Sequence, residues 1–117
     1  MEGDLIYDKA LAYAVRVVNM YKFLNEEKQE RVMSKQLLRC GTSIGANISE
    51  ALSAESTMDF VHKLAISQKE ARETQYWLTL LNRTEYITNT QYDSMVNDCR
   101  ELYRMITSII LSTKQKI

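Results

Sequence analysis

His62 is the only histidine in the sequence, and it limits the chemistry that can be expected of this chain. Di-iron carboxylate bundles place a Glu on each of two helices and a Glu-x-x-His pair on each of the other two. His62 follows Asp59 at that spacing, and Glu70 with Glu73 supplies two further carboxylates, but a second histidine is missing. We therefore predict no metal site and interpret His62 as a partly exposed helical residue.

Nucleophilic catalysis is not expected either, because one histidine would have to activate every serine or cysteine. Gly41 and Gly45 fall within a predicted helix, where backbone amides are not free to bind a phosphate. Cys40 and Cys99 lack metal-ligand spacing and fall on apolar helical positions, so we interpret them as reduced core residues of a cytoplasmic protein. We predict no catalytic residue, no metal ligand and no cofactor site, and expect the protein not to be an enzyme.

The composition favours one domain, residues 1–117, made of long helices. Proline is absent and there are only three glycines, too few for the turns of a many-stranded fold. The 15 basic and 15 acidic residues balance, so no net charge draws the whole protein to nucleic acid or to a membrane. The acidic start, Met1 to Asp4, differs from a secretory signal, and no apolar run is long enough to span a membrane.

Apolar residues recur at helical spacing in four segments. The predicted helices are Leu5–Leu24, Met33–Leu52, a third from a serine cap at Ser56 to about Asn82, and a fourth from a threonine cap at Thr90. Short connections between helices of roughly equal length favour antiparallel neighbours. We therefore predict an all-α, antiparallel up-down-up-down four-helix bundle.

The first helix has two apolar stripes. One runs from Ile6 to Leu24 and faces the predicted core. A surface helix of a monomeric bundle usually needs one such stripe. The second stripe therefore predicts an interface between copies of the chain, formed by Tyr7, Leu11, Ala14, Val18 and Tyr21.

Two glycines four residues apart, Gly41 and Gly45, lie on one face of the second helix. Each costs about 1 kcal/mol of helix stability relative to alanine, so a missing side chain must bring some benefit there. The close approach of a neighbouring helix is the simplest benefit, and a local kink is the alternative.

Beside these glycines, a polar line follows the second helix. Its members are Gln36, Arg39, Ser43, Asn47 and Glu50. The line favours a solvated face or rim, since charges are seldom fully buried. The alternative is a buried or interfacial network that joins Arg39, Asn47 and Glu50 to the charged residues of the third helix.

A basic series is the candidate for nucleic-acid binding. It consists of Lys28, Arg31, Lys35 and Arg39, with Arg100 and Arg104 in support. Three glutamates, Glu26, Glu27 and Glu30, interrupt it. On a monomer this pattern favours an ordinary solvated face. Symmetric assembly would concentrate the basic residues and favour contact with RNA or DNA.

Two stretches of the sequence, Gln36–Glu50 and Asp59–Leu78, resemble the bacterial four-helix-bundle family named after 23S rRNA intervening-sequence proteins. The remaining helices match that family in length and character, so the resemblance covers essentially the whole chain. This chain has Ala51 where many relatives have glycine. The residues that carry the family motif are Arg39, Ser43, Asn47, Glu50, Glu70, Glu73, Tyr76 and Trp77.

The resemblance implies a homo-oligomeric, pentameric helical barrel with no known enzymatic activity. Some members are encoded within large-subunit ribosomal RNA genes. A related protein, the accessory variability determinant of diversity-generating retroelements, binds a reverse transcriptase and nucleic acid. The expected function is thus a non-enzymatic scaffold or adaptor whose partner is itself. The alternative is an accessory protein that binds RNA, DNA or a nucleic-acid-handling protein.

Overall fold

The computed structural model describes residues 2–116, and the side chains of residues 5–116. The described residues form four α-helices and no strand: α1 (Glu2–Glu26), α2 (Met33–Leu52), α3 (Thr57–Arg83) and α4 (Asn89–Lys114). Helix α1 begins three residues before the predicted start at Leu5. The side chains of the acidic start, Met1 to Asp4, lie outside the described part of the chain.

The four helices form a rod of 48 × 20 × 20 Å. Helices α1 and α3 each lie beside α2 and α4, and successive helices run antiparallel. The predicted all-α, up-down-up-down bundle is therefore confirmed for the described residues. In this order of neighbours, the side formed by α1 and α2 is opposite the side formed by α3 and α4.

The core contains the predicted inner stripe of α1. On α1 the buried residues are Ile6, Ala10, Tyr13, Val17, Met20 and Leu24. Both cysteines are free and buried in the core. Burial raises the pKa of Cys40 to about 11 and that of Cys99 to about 12, so both thiols stay protonated at neutral pH.

The connection between α1 and α2 depends on Glu30, which is buried although it belongs to a strongly polar stretch. Its carboxylate accepts hydrogen bonds from the backbone amides of Met33 (3.1 Å) and Ser34 (2.8 Å) at the start of α2. A negative charge at this position also complements the helix dipole. Glu30 therefore stabilises the start of α2, and its carboxylate is not part of the exposed surface.

The later helices begin with side-chain caps. The hydroxyl of Ser56 accepts from the amide of Asp59 at 3.0 Å, which confirms the predicted start of α3. The predicted cap of α4 at Thr90 is wrong, because Thr88 caps the helix. Thr88 and Gln91 form a reciprocal capping box, which satisfies two backbone amides at once, whereas Thr90 lies inside the first turn.

Candidate interaction surfaces

The side formed by α1 and α2, the α1–α2 face, carries the second apolar stripe of α1. Tyr7 and Leu11 are 37% and 51% exposed, and Ala14, Val18 and Tyr21 are half-buried. A groove of about 180 Å³ lies between this stripe and α2. It is lined by Tyr7, Leu11, Ala14, Thr42, Gly45, Ala46 and Ser49. All of these side chains are uncharged.

Gly41 allows α1 and α2 to approach closely, whereas Gly45 has room for a methyl group. A Cβ atom at Gly41 would lie 2.7 Å from Cγ1 of Val17, which is too close for any side chain. A Cβ atom at Gly45 would lie 3.5 Å from the Cβ of Ala10, an ordinary contact. Both positions belong to one continuous helix, so the structure favours close approach over a kink.

The family-motif residues meet on the side formed by α2 and α3. Nη1 of Arg39 lies 3.1 Å from the carboxylate of Glu70, and Nη2 pairs with Glu73. Oε2 of Glu73 also accepts a hydrogen bond from Nε1 of Trp77 at 3.2 Å. The hydrogen bond from Arg39 lowers the pKa of Glu73 below its ordinary value, and the same bond raises the pKa of Arg39.

The other residues of the polar line lie along α2 beside these ion pairs. Ser43 donates to the carbonyl of Arg39 at 2.6 Å, and Asn47 donates to the carbonyl of Ser43 at 2.8 Å. Glu50 pairs with Lys63 of α3 at 3.0 Å. Because half of the Arg39 side chain is exposed, these ion pairs are not buried; Arg39 and Glu50 join α3 at the surface where the two helices meet.

The residues of the basic series are all exposed and differ in their contacts. Arg39 is directed to the carboxylates of α3, as described above. Lys28 lies 5.9 Å from the ring centroid of Phe23, and Arg31 donates to Oε1 of Gln29 at 3.1 Å. Lys35 is exposed. Nucleic-acid binding through Lys28, Arg31, Lys35 and Arg39 stays a prediction.

The side formed by α3 and α4, the α3–α4 face, has polar contacts that the sequence analysis missed. Gln68 donates to the hydroxyl of Thr107 at 2.7 Å. Arg72 donates to the hydroxyl of Tyr103 at 2.9 Å, and its guanidinium lies 4.6 Å from the ring centroid. Only the pairing of the two helices shows these contacts, because the partners are 31 to 39 residues apart in sequence.

The side formed by α1 and α4 is joined by ion pairs. Lys9 pairs with Glu101, and Arg16 pairs with Asp98. The hydrogen bond from Lys9 lowers the pKa of Glu101. Every ion pair found among residues 5–116 thus joins either α1 to α4 or α2 to α3.

The residues tested for metal chemistry are not brought together. His62 is exposed on α3, and Glu70 and Glu73 face Arg39. Within the described part of the chain, no three His, Cys, Asp or Glu side chains are grouped as metal ligands would be. No helix of residues 2–116 has the length and hydropathy needed to cross a lipid bilayer.

Known proteins share both the sequence pattern and the fold. The profile of the family described as 23S rRNA-intervening sequence protein matches residues 4–108. Comparison with curated proteins gives no match. Among solved structures, a protein of unknown function from the S23 ribosomal protein family of Bacteroides thetaiotaomicron is 58% identical to this chain, with a TM-score of 0.93. The alignment covers 94% of this chain and 98% of that one.

The match places the family-motif residues on a shared architecture of four helices. The profile includes all of α2 and α3, where the motif lies, and most of α1 and α4. The chain belongs to the 23S rRNA-intervening sequence protein family.

Proposed function

We propose that this protein is a non-enzymatic scaffold that assembles into a homo-oligomer through the α1–α2 face. One observation carries the proposal: this face exposes large apolar side chains around a groove with no charged lining, although 26% of the sequence is charged. An exposed apolar patch on a folded domain is typical of a protein–protein contact.

The shape of the face supports contact with a second copy of the chain. Tyr7 and Leu11 project from α1, while Gly45, Ala46 and Ser49 leave a depression beside them on α2. The same surface therefore offers both large side chains and a groove that can receive them. If the large side chains of one copy enter the groove of the next, the contact is head-to-tail, and contacts of this kind can close into a ring.

The proposal extends to subunit number and location. The family resemblance makes a closed ring of five protomers, each of 13.6 kDa, the expected assembly. A cytoplasmic location is part of the proposal, and the two buried free thiols support it.

Light scattering on the purified protein tests the assembly. We expect the wild type to have the mass of several protomers and Leu11→Asp to be monomeric, because a carboxylate in the groove would lose its hydration on association. Leu111→Asp is the matched control, since Leu111 is 57% exposed on α4 and Leu11 is 51% exposed on α1. Circular dichroism checks that both variants remain helical.

Two results would overturn the proposal. A wild-type protein that is monomeric at micromolar concentration would exclude a stable scaffold. If Leu111→Asp dissociates the assembly while Leu11→Asp leaves it intact, the interface lies on α4 and the α1–α2 face is not used.

A further inference from the structure

The α3–α4 face is rich in cationic side chains. Lys69, Arg72, Arg100 and Arg104 are all exposed on α3 and α4. Helical spacing puts each of them on the outward side of the seam that Arg72 and Tyr103 mark. Within about two turns of helix, the bundle thus presents four positive charges on one side.

The carboxylates of the same two helices do not balance these charges. Glu70 and Glu73 of α3 are directed to Arg39 on α2. On α4, Glu101 is directed to Lys9 on α1, and Asp98 likewise pairs with a cation of α1. Asp93 shares the outward side of α4 but lies about 10 Å along the helix from Arg100.

An exposed aromatic ring lies next to the cations. Tyr76 is 59% exposed, and its ring meets that of Trp77 edge to face, with the centroids 5.1 Å apart. Trp77 is itself held by its hydrogen bond to Glu73, which Arg39 holds in turn. The motif residues therefore support the Tyr76 ring through Trp77.

A shallow cleft of about 130 Å³ lies beside this ring. Its lining is Tyr76, Thr79, Leu80 and Arg83. The lining thus includes both a planar aromatic ring and a guanidinium. Nucleobases stack on both kinds of group.

We propose that the α3–α4 face binds single-stranded nucleic acid, with a base stacked on Tyr76 beside Arg83 and the phosphates along Lys69, Arg72, Arg100 and Arg104. Positive charge alone would suit any polyanion. An unpaired base is favoured because only a base that is free of its complement can enter the cleft beside Tyr76. The proposal does not depend on assembly, since this face is opposite the α1–α2 face and both can be occupied at once.

Fluorescence anisotropy with a labelled oligouridylate of about 12 nucleotides tests the proposal at low and at near-physiological salt. We expect Arg100→Gln/Arg104→Gln to weaken binding about tenfold or more and to reduce the salt slope by about 1.4, the value for two lost phosphate contacts. The matched control is Lys114→Gln/Lys116→Gln, which removes the same charge from the exposed C-terminal end of α4, away from the cleft, and should retain wild-type affinity.

A separate variant, Tyr76→Ala, tests the stacking of a base on the Tyr76 ring. Tyr76→Ala should weaken binding by about fivefold to a hundredfold and leave the salt slope unchanged, because tyrosine carries no charge. Thermal melting of each variant shows that the fold is kept. A duplex of the same length should bind more weakly than the single strand, and polyglutamate should not compete.

Each contrary result overturns the proposal. An equal loss of affinity in the two double variants would mean that the protein attracts nucleic acid by its charge in general and has no specific site. An unchanged affinity in Arg100→Gln/Arg104→Gln would mean that the α3–α4 face does not bind nucleic acid. Competition by polyglutamate, or an unchanged affinity in Tyr76→Ala, would point to an acidic protein segment as the partner. A monomeric wild type that binds as expected would refute the scaffold and leave this proposal standing.

Discussion

The α1–α2 face and the α3–α4 face lie on opposite sides of one small bundle and are built in opposite ways. On the first, Gly41 lets α1 and α2 approach closely, and the groove outside it is uncharged. On the second, long polar side chains such as Arg72 and Tyr103 join the two helices and remain partly exposed. One face suits another helix, and the other suits water and anions.

The contrast arises because the carboxylates are distributed unevenly around the bundle. The ion pairs of the described residues collect on the two sides that separate these faces, through Arg39 with Glu70 and Glu73, and through Lys9 with Glu101. As a result, the α1–α2 groove has no charge and the α3–α4 face keeps its positive charge. A sequence with balanced charge overall can thus fold into a protein with distinct sides.

The two glycines give the largest expected effect. Gly41→Ala should lower the free energy of unfolding by about 1–2 kcal/mol, because the new Cβ meets the stiff, buried Val17 and overpacking outweighs the gain in helix propensity. Gly45→Ala, the matched control, should raise it by about 0.5–1 kcal/mol, since its Cβ makes ordinary contacts. Urea unfolding at one protein concentration measures both.

A second substitution isolates the cause. Val17→Ala in the Gly41→Ala background removes the two Cγ atoms that the new Cβ meets. The double variant should therefore lose less free energy of unfolding than the sum of the losses in the two single variants. If Gly41→Ala raises stability as Gly45→Ala does, close packing does not explain Gly41, and the contrast between the two faces loses its structural basis.

The polar contacts of the α3–α4 face should contribute much less to the free energy of unfolding than the close packing at Gly41. Tyr103→Phe removes the hydroxyl that accepts from Arg72, and we expect a loss of at most about 0.5 kcal/mol, because both groups can bind water instead. The comparison is Tyr13→Phe, which removes a buried hydroxyl that donates to the carbonyl of Met95 at 2.9 Å and should cost about 1–1.5 kcal/mol. Equal costs in urea unfolding would contradict the view that the α3–α4 face is a solvated surface.

The sequence was sufficient to predict the bundle because its apolar spacing is regular. The buried residues of α1 are those of its predicted inner stripe, from Ile6 to Leu24. The cap at Ser56 was predicted correctly, and that of α4 was placed two residues too late, at Thr90. Several threonine and asparagine residues near that start are all acceptable caps, and only the reciprocal bond of Gln91 to Thr88 selects one of them.

The surfaces were harder to predict because they depend on which helices are neighbours. Arg39 was assigned to a basic series on the strength of its neighbours in sequence, whereas in the fold it pairs with Glu70 and Glu73. Glu30 was counted among exposed carboxylates, although it is buried at the start of α2. Arg100 and Arg104 were grouped with that series, and their position on the same face as Lys69 and Arg72 was not predicted, because the two pairs lie on different helices.

The smallest expected effect concerns the ion pairs that separate the two faces. The hydrogen bond from Arg39 holds the pKa of Glu73 below its ordinary value of 4.5, so Glu73 binds a proton more readily in the unfolded chain. Its contribution to stability is therefore present above about pH 4.5 and is lost as the pH falls through the lowered pKa of the folded state. We expect Glu73→Gln to be slightly less stable than the wild type at neutral pH and to lose less stability as the pH falls. Both differences should be smaller than the cost of Tyr103→Phe, because the ion pair is exposed and screened by solvent. Urea midpoints of the wild type and the variant, measured between neutral pH and about pH 3, give the comparison. Parallel curves would mean that Arg39 and Glu73 do not interact in solution, and the support that they give to Trp77 and Tyr76 would then have to come from packing alone.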